Sequence, residues 1–152
     1  MRRTFFILCF ALAQGLFAQS NATAAQDFVQ RFGTDQASWA QEGNTHVATF
    51  KANQGPAYAE YDDQGNYLGL ASLSDLASMP AEAQTFLERG FTGENGNGPY
   101  NLQYVRLLDE GNGAQNYVAI LVNASDPNQF LKLYFDSVTG TLERRALWST
   151  AP

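Results

Sequence analysis

The feature that most constrains this chain is a change of hydrophobic period, made twice. Ala25, Phe28, Val29 and Phe32 fall at i, i+3, i+4 and i+7, which is one face of a helix. Thr23 with Gln26 suits a capping box, and Gly33 a helix stop. The period then becomes two, predicting short strands at Ser38–Gln41, Thr45–Ala52, Ala57–Tyr61 and Tyr67–Ala71. Pro80 opens a second helical pattern with Ala83, Phe86, Leu87 and Gly90 at the same spacing. Four longer strands follow: Tyr100–Leu108, Asn116–Asn123, Gln129–Phe135 and Thr141–Trp148. Between them lie Glu110-Gly111-Asn112-Gly113, Ser125-Asp126-Pro127-Asn128 and Asp136-Ser137-Val138-Thr139-Gly140, all rich in turn formers.

The two blocks read as copies. An offset of 58 carries Ala25, Phe28, Val29, Arg31 and Phe32 onto Ala83, Phe86, Leu87, Arg89 and Gly90. Tyr61-Asp62 and Gly65 correspond to Phe135-Asp136 and Gly140. The expected fold is therefore α+β, with tandem helix-plus-four-strand repeats (about 22–71 and 74–149) forming one antiparallel sheet with two helices on one face. Phe28 and Phe86 are expected at matching core positions.

The first eighteen residues follow the order of a secretory leader, with Arg2 and Arg3 before an apolar run from Phe5 to Leu12. Leu16-Phe17-Ala18 supplies a small residue for cleavage ahead of Gln19, and Ala22-Thr23-Ala24 is the weaker alternative. The run falls short of the roughly 20 residues that span a bilayer. Cleavage would leave one domain, 19–152, in the periplasm or outside the cell. It would also remove Cys9, so no disulfide or cysteine metal site is expected. The chain carries a formal charge of −6, and losing Arg2 and Arg3 leaves 7 basic against 15 acidic residues. That balance argues against nucleic acid and anionic membrane surfaces as partners.

Motifs for chemistry are sparse. His46 is the only histidine, lies in a predicted strand, and has no nucleophile or carboxylate beside it in sequence. Asp62, Asp63 and Asn66 sit in a stretch too short for a calcium loop, and one that lacks its closing glutamate. Asp-x-x-Gly suits a strand-joining turn instead. Glu60, Asp109, Glu110 and Glu143 read as solvated surface charge, since nothing in sequence converges them. No catalytic residue, metal site or cofactor is expected. Asn21-Ala22-Thr23 and Asn123-Ala124-Ser125 match a glycosylation pattern that short chance matches also produce.

Strand parity is more informative. Val118, Ile120 and Val122 on one strand, and Leu131, Leu133 and Phe135 on the next, suit a face covered by helices. Tyr117 and Leu121, and Phe130 and Tyr134, then share the opposite face, continued by Tyr100 and Tyr104. Two readings of such a face stand. Aromatic pairs stabilise a sheet across strands, and a tyrosine-rich surface suits a protein or peptide partner. Tyr100, Tyr104, Tyr117, Phe130 and Tyr134 are the candidate binding residues.

Tyr61-Asp62-Asp63-Gln64-Gly65-Asn66-Tyr67, the strand around Trp39, and Leu76 to Pro80 leading into the second helix resemble the PepSY-like family of exported bacterial proteins. Phe135-Asp136-Ser137-Val138-Thr139-Gly140 is similar to the closing FD-x-x-TG hairpin of PepSY domains. Met79-Pro80 stands where that family usually has Leu-Pro. The resemblance covers the chain beyond the leader and extends in fold to the beta-lactamase inhibitor proteins. By analogy it implies a non-enzymatic binding or inhibitory role, the latter toward an extracytoplasmic hydrolase. A structural envelope protein without a discrete ligand, and a metal-dependent hydrolase, are the alternative classes.

Overall fold

A computed structural model describes residues 21–93 and 98–150. The leader expected over 1–18 lies outside them. Helix α1 (21–32) is followed by β1 (Ser38–Glu42), β2 (Thr45–Ala52), β3 (Gly55–Tyr61) and β4 (Tyr67–Ser74). A 3₁₀ turn at Leu76–Ser78 leads to α2 (Ala81–Leu87), which runs on as a π-helical turn over Glu88–Thr92. Next come β5 (Tyr100–Asp109), β6 (Gln115–Asn123), β7 (Asp126–Asp136) and β8 (Leu142–Ser149). All eight strands form one antiparallel sheet in chain order, so the fold is α+β. Among the described residues, no helix is long and apolar enough to cross a membrane.

Turn chemistry explains the simple order. The Asp62 carboxylate accepts from the Gln64 and Asn66 backbone N–H groups at 2.9 and 2.8 Å, and from Asn66 Nδ2 at 2.9 Å. Its oxygens are thus engaged in closing a hairpin. Asp136 does the same at the β7–β8 turn, accepting from Val138 N, Thr139 N and Thr139 Oγ1. Gly140 completes that turn at φ +74°, where an added Cβ would lie 2.9 Å from the Ala83 nitrogen. Only glycine lets this turn tuck beneath the start of α2.

The two helices cover one face of the sheet. α1 buries Ala24 and Phe28 against Ala48, Ala59 and Tyr61. The small alanines leave room for the Phe28 ring, which meets Phe50 edge-on at 5.0 Å and Trp39 at 5.7 Å. α2 buries Ala83 and Leu87 over Val105, Ala119, Leu121, Leu131, Leu133 and Phe135. A further apolar cluster of Ala71, Leu108, Val118, Ile120 and Tyr134 lies on the other face, with Tyr58 and Trp148 packed against it.

Four expectations need correction. Thr23 lies inside α1 rather than capping it, since the helix already holds residues 21 and 22. Asp126 and Pro127 open β7 instead of forming a loop, a place where a strand tolerates proline. Phe86 is 40 % exposed, and the buried position belongs to Leu87. The buried pairs Ala24/Phe28 and Ala83/Leu87 are therefore one residue out of step with the 58-residue offset. The fourth correction concerns β6. Val118 and Ile120 face away from the helices, while Tyr117 and Leu121 lie beneath α2.

Candidate functional site

The helix-free face holds what the sequence hid. Glu42 at the end of β1 and Glu60 in β3 project into it, as do Arg106 of β5 and Lys132 of β7, and all four are buried. Arg106 grips Glu42 with two parallel bonds, Nη2 to Oε1 at 2.8 Å and Nη1 to Oε2 at 2.9 Å. Lys132 Nζ stands 2.9 Å from both Glu42 Oε2 and Glu60 Oε2, and 3.2 Å from Thr45 Oγ1. Arg106 Nη1 is 3.4 Å from Glu60 Oε1, and the Tyr134 hydroxyl donates to Glu60 Oε2 at 2.9 Å. Every one of these ion pairs joins the first four strands to the last four. Such contacts require the sheet to coil, and the β1–β2 turn does approach β8: a Cβ added to Gly43 would lie 2.8 Å from Ala146 Cβ.

Two acids and two bases balance, and the protonation states follow. Burial works against charge on Glu42, but Lys132 and Arg106 outweigh it and hold the carboxyl below its ordinary range. Burial likewise opposes the Lys132 ammonium, while Glu60, Tyr134 and Glu42 raise it above the usual lysine value. The Tyr134 phenol is pushed up to about 12 by burial and by the neighbouring Glu60 charge. The Arg106 guanidinium lies 4.1 Å from the Tyr58 ring centre and 4.9 Å from that of Tyr104, whose hydroxyl accepts from Nη2 at 3.0 Å. Its Nε is buried with no hydrogen-bond partner among the described residues. Both carboxylates are engaged in ion pairs within the cluster.

Beyond this cluster the face opens. Leu73 on β4 is 50 % exposed and lies diagonal to Tyr104 on β5, itself 36 % exposed. Val122, Phe130 and Trp148 are directly opposite one another across β6, β7 and β8 and are half-buried. Phe130 and Trp148 stack at 5.3 Å with their planes 18° apart. At the edge, Arg144 covers the Tyr134 ring at 3.8 Å.

The five candidate residues do not form one row. Tyr104, Phe130 and Tyr134 share the helix-free face, but Tyr134 is 1 % exposed and belongs to the ion cluster. Tyr100 and Tyr117 lie on the helix side, packed at the margin of the α2 core, with Tyr100 against Phe91. The physical reason is that β6 is apolar on both faces, so alternation could not orient it, and a bulge between Leu102 and Tyr104 separates Tyr100 from the Tyr104 parity. Glu60 is fully buried rather than a solvated charge. His46 is also buried, in β2 opposite Gln41 and Tyr61. Among the described residues, no group of three or more His, Cys, Asp or Glu is placed to hold a metal. Trp148 and Leu73 were missed because each stands next to last in its strand, beside polar residues.

No protein-family model matches the chain. No curated protein matches it either. Among solved structures it is similar to a BLIP-like protein from Bacteroides fragilis, at 21 % identity and a TM-score of 0.44 over 85 % of this chain and 87 % of that one. It is also similar to DUF2874 family proteins. The one from Bacteroides uniformis is 15 % identical with a TM-score of 0.48, over 83 % of this chain and 88 % of that one. The one from Bacteroides ovatus is 13 % identical with a TM-score of 0.44, over 85 % of each chain.

Proposed function

We propose that this chain is an exported, non-enzymatic module that binds a protein or peptide through the open end of its helix-free face. The observation that carries the reading is the row Leu73, Tyr104, Phe130 and Trp148. It is apolar, at least partly accessible, and braced from beneath by a buried ion cluster. Rigid aromatic anchors of this kind carry most of the energy in typical interfaces. Of the sequence candidates, Tyr104 and Phe130 stay in the proposed surface, and Tyr134 supports it from below. Export rests on the leader expected over 1–18, which places the mature protein in the periplasm or outside the cell. The PepSY-like resemblance and a tandem origin for the two helix-plus-four-strand blocks belong to the same reading.

A photo-reactive residue at position 104 or 148 should crosslink one defined protein in the envelope fraction or secretome, and the same residue at position 30 on α1 should not. For that partner, Trp148→Ala and Tyr104→Ala should each weaken binding by about 2 kcal/mol. Equal crosslinking from both faces, or unchanged affinity in both variants, would sink the proposal.

A further inference from the structure

The hairpin turn between β5 and β6 contains an asparagine set up to react with its own backbone. Asn112 is exposed and is followed by Gly113, which has φ +90° and no atom within 4 Å of a built Cβ. The Asn112 side-chain carbonyl accepts from the Ala114 N–H at 2.8 Å. That bond polarises Cγ and supports the negative charge that Oδ1 gains when a nucleophile adds, as an oxyanion hole does. The nucleophile is the Gly113 nitrogen. Among the described residues, neither it nor Asn112 Nδ2 takes part in a hydrogen bond.

The same turn recurs at Asn123 with the opposite settings. Asn123 Oδ1 accepts from Ser125 N at 2.8 Å, so the activation is equal. Its nucleophile, the Ala124 N–H, is committed to Pro99 O at 2.9 Å, and its leaving group Nδ2 to Gln129 Oε1 at 2.6 Å. Ala124 also carries a Cβ that crowds the attack. The fold thus contains a reactive site and its own control.

We propose that Asn112 is a site of spontaneous deamidation in the folded protein. The Gly113 nitrogen bonds to Asn112 Cγ, the Cγ–Nδ2 bond breaks, and ammonia leaves with the Gly113 proton. The five-membered imide that results is opened by water. Attack at Cγ gives aspartate, and attack at the backbone carbonyl gives an isoaspartyl link that reroutes the chain through the side chain. Either product adds a negative charge beside Asp109 and Glu110. Gly111 and Gln115 of this hairpin line a groove with Tyr67, Leu70 and Leu107, so the new charge appears at that groove's rim.

The test is to hold the folded protein at mildly alkaline pH and map tryptic peptides by mass. The peptide Leu107–Lys132 should gain about 1 Da at Asn112 and split into two isomers, with one added charge. Conversion at Asn112 should be at least about tenfold faster than at Asn123, where two hydrogen bonds must open first. Asn95-Gly96 and Asn97-Gly98 fall in the separate peptide Gly90–Arg106 and are scored apart. Gly113→Ala should suppress conversion. Because alanine is strained at this φ, its fold is checked by circular dichroism, and unfolded wild-type chain serves as a second comparison. Asn112 intact in the folded protein while the unfolded chain converts it would overturn the proposal, as would equal rates at Asn112 and Asn123.

Discussion

Lys132 lies between Leu131 and Leu133 with no exposed surface. Removing an ammonium from water costs several kcal/mol, and two carboxylates and a threonine hydroxyl offset it here. Lys132→Met should therefore destabilise the domain by about 3–5 kcal/mol, because it leaves two buried carboxylates, Glu42 and Glu60, to the single positive charge of Arg106. Urea unfolding measures this. Adding Glu60→Gln to Lys132→Met should cost less than the two single changes summed, as expected for neighbours in one network. Tyr134→Phe removes the hydroxyl from Glu60 and should cost about 1.5–3 kcal/mol, the range for a bond to a charged group. A charged residue flanked by leucines was visible in the sequence. Its partners were not, since Glu42 and Lys132 are 90 residues apart and meet only when the sheet coils.

At the level of elements, period and turn chemistry located both helices and all eight strands within a few residues. They succeeded because each hairpin is closed locally by its own Asp, Asn or Gly. Two things escaped. β6 is buried on both faces, with Val118 and Ile120 on one and Ala119 and Leu121 on the other, so no alternation exists to orient it. In α2 the apolar stripe includes both Phe86 and Leu87, and the sequence cannot say which one the sheet receives. The structure gives the core to Leu87. Phe28→Ala should therefore cost about 3–5 kcal/mol and Leu87→Ala about 2–5 kcal/mol. Phe86→Ala should cost clearly less than Phe28→Ala, since 40 % of Phe86 already faces water. Comparable losses at Phe28 and Phe86 would restore the original offset.

For the whole molecule, the ion cluster fixes how stability responds to pH. The folded Glu42 pKa lies below its unfolded value, so its contribution is complete above about pH 4–5 and fades as pH falls through the folded value. Lys132 and Tyr134 are both raised. Their contributions are complete below their unfolded values near 10 and are lost as pH rises beyond them. Thermal melts should show a plateau across neutral pH that falls on both sides, and Glu42→Gln should flatten the acidic limb. N-terminal sequencing of exported protein should begin at Gln19, and retention of Met1 would count against the leader.

An open sheet normally leaves two strand edges that can recruit other chains. Here β1 is only five residues long, its turn rests on β8, and β8 carries Glu143, Arg144 and Arg145. Gly43 permits that contact, because a Cβ there would lie 2.8 Å from Ala146 Cβ and one of the two would have to shift. The absent side chain at Gly43 thus lets the first hairpin lie close against the last strand, so the two edges that could each recruit another chain stand near one another.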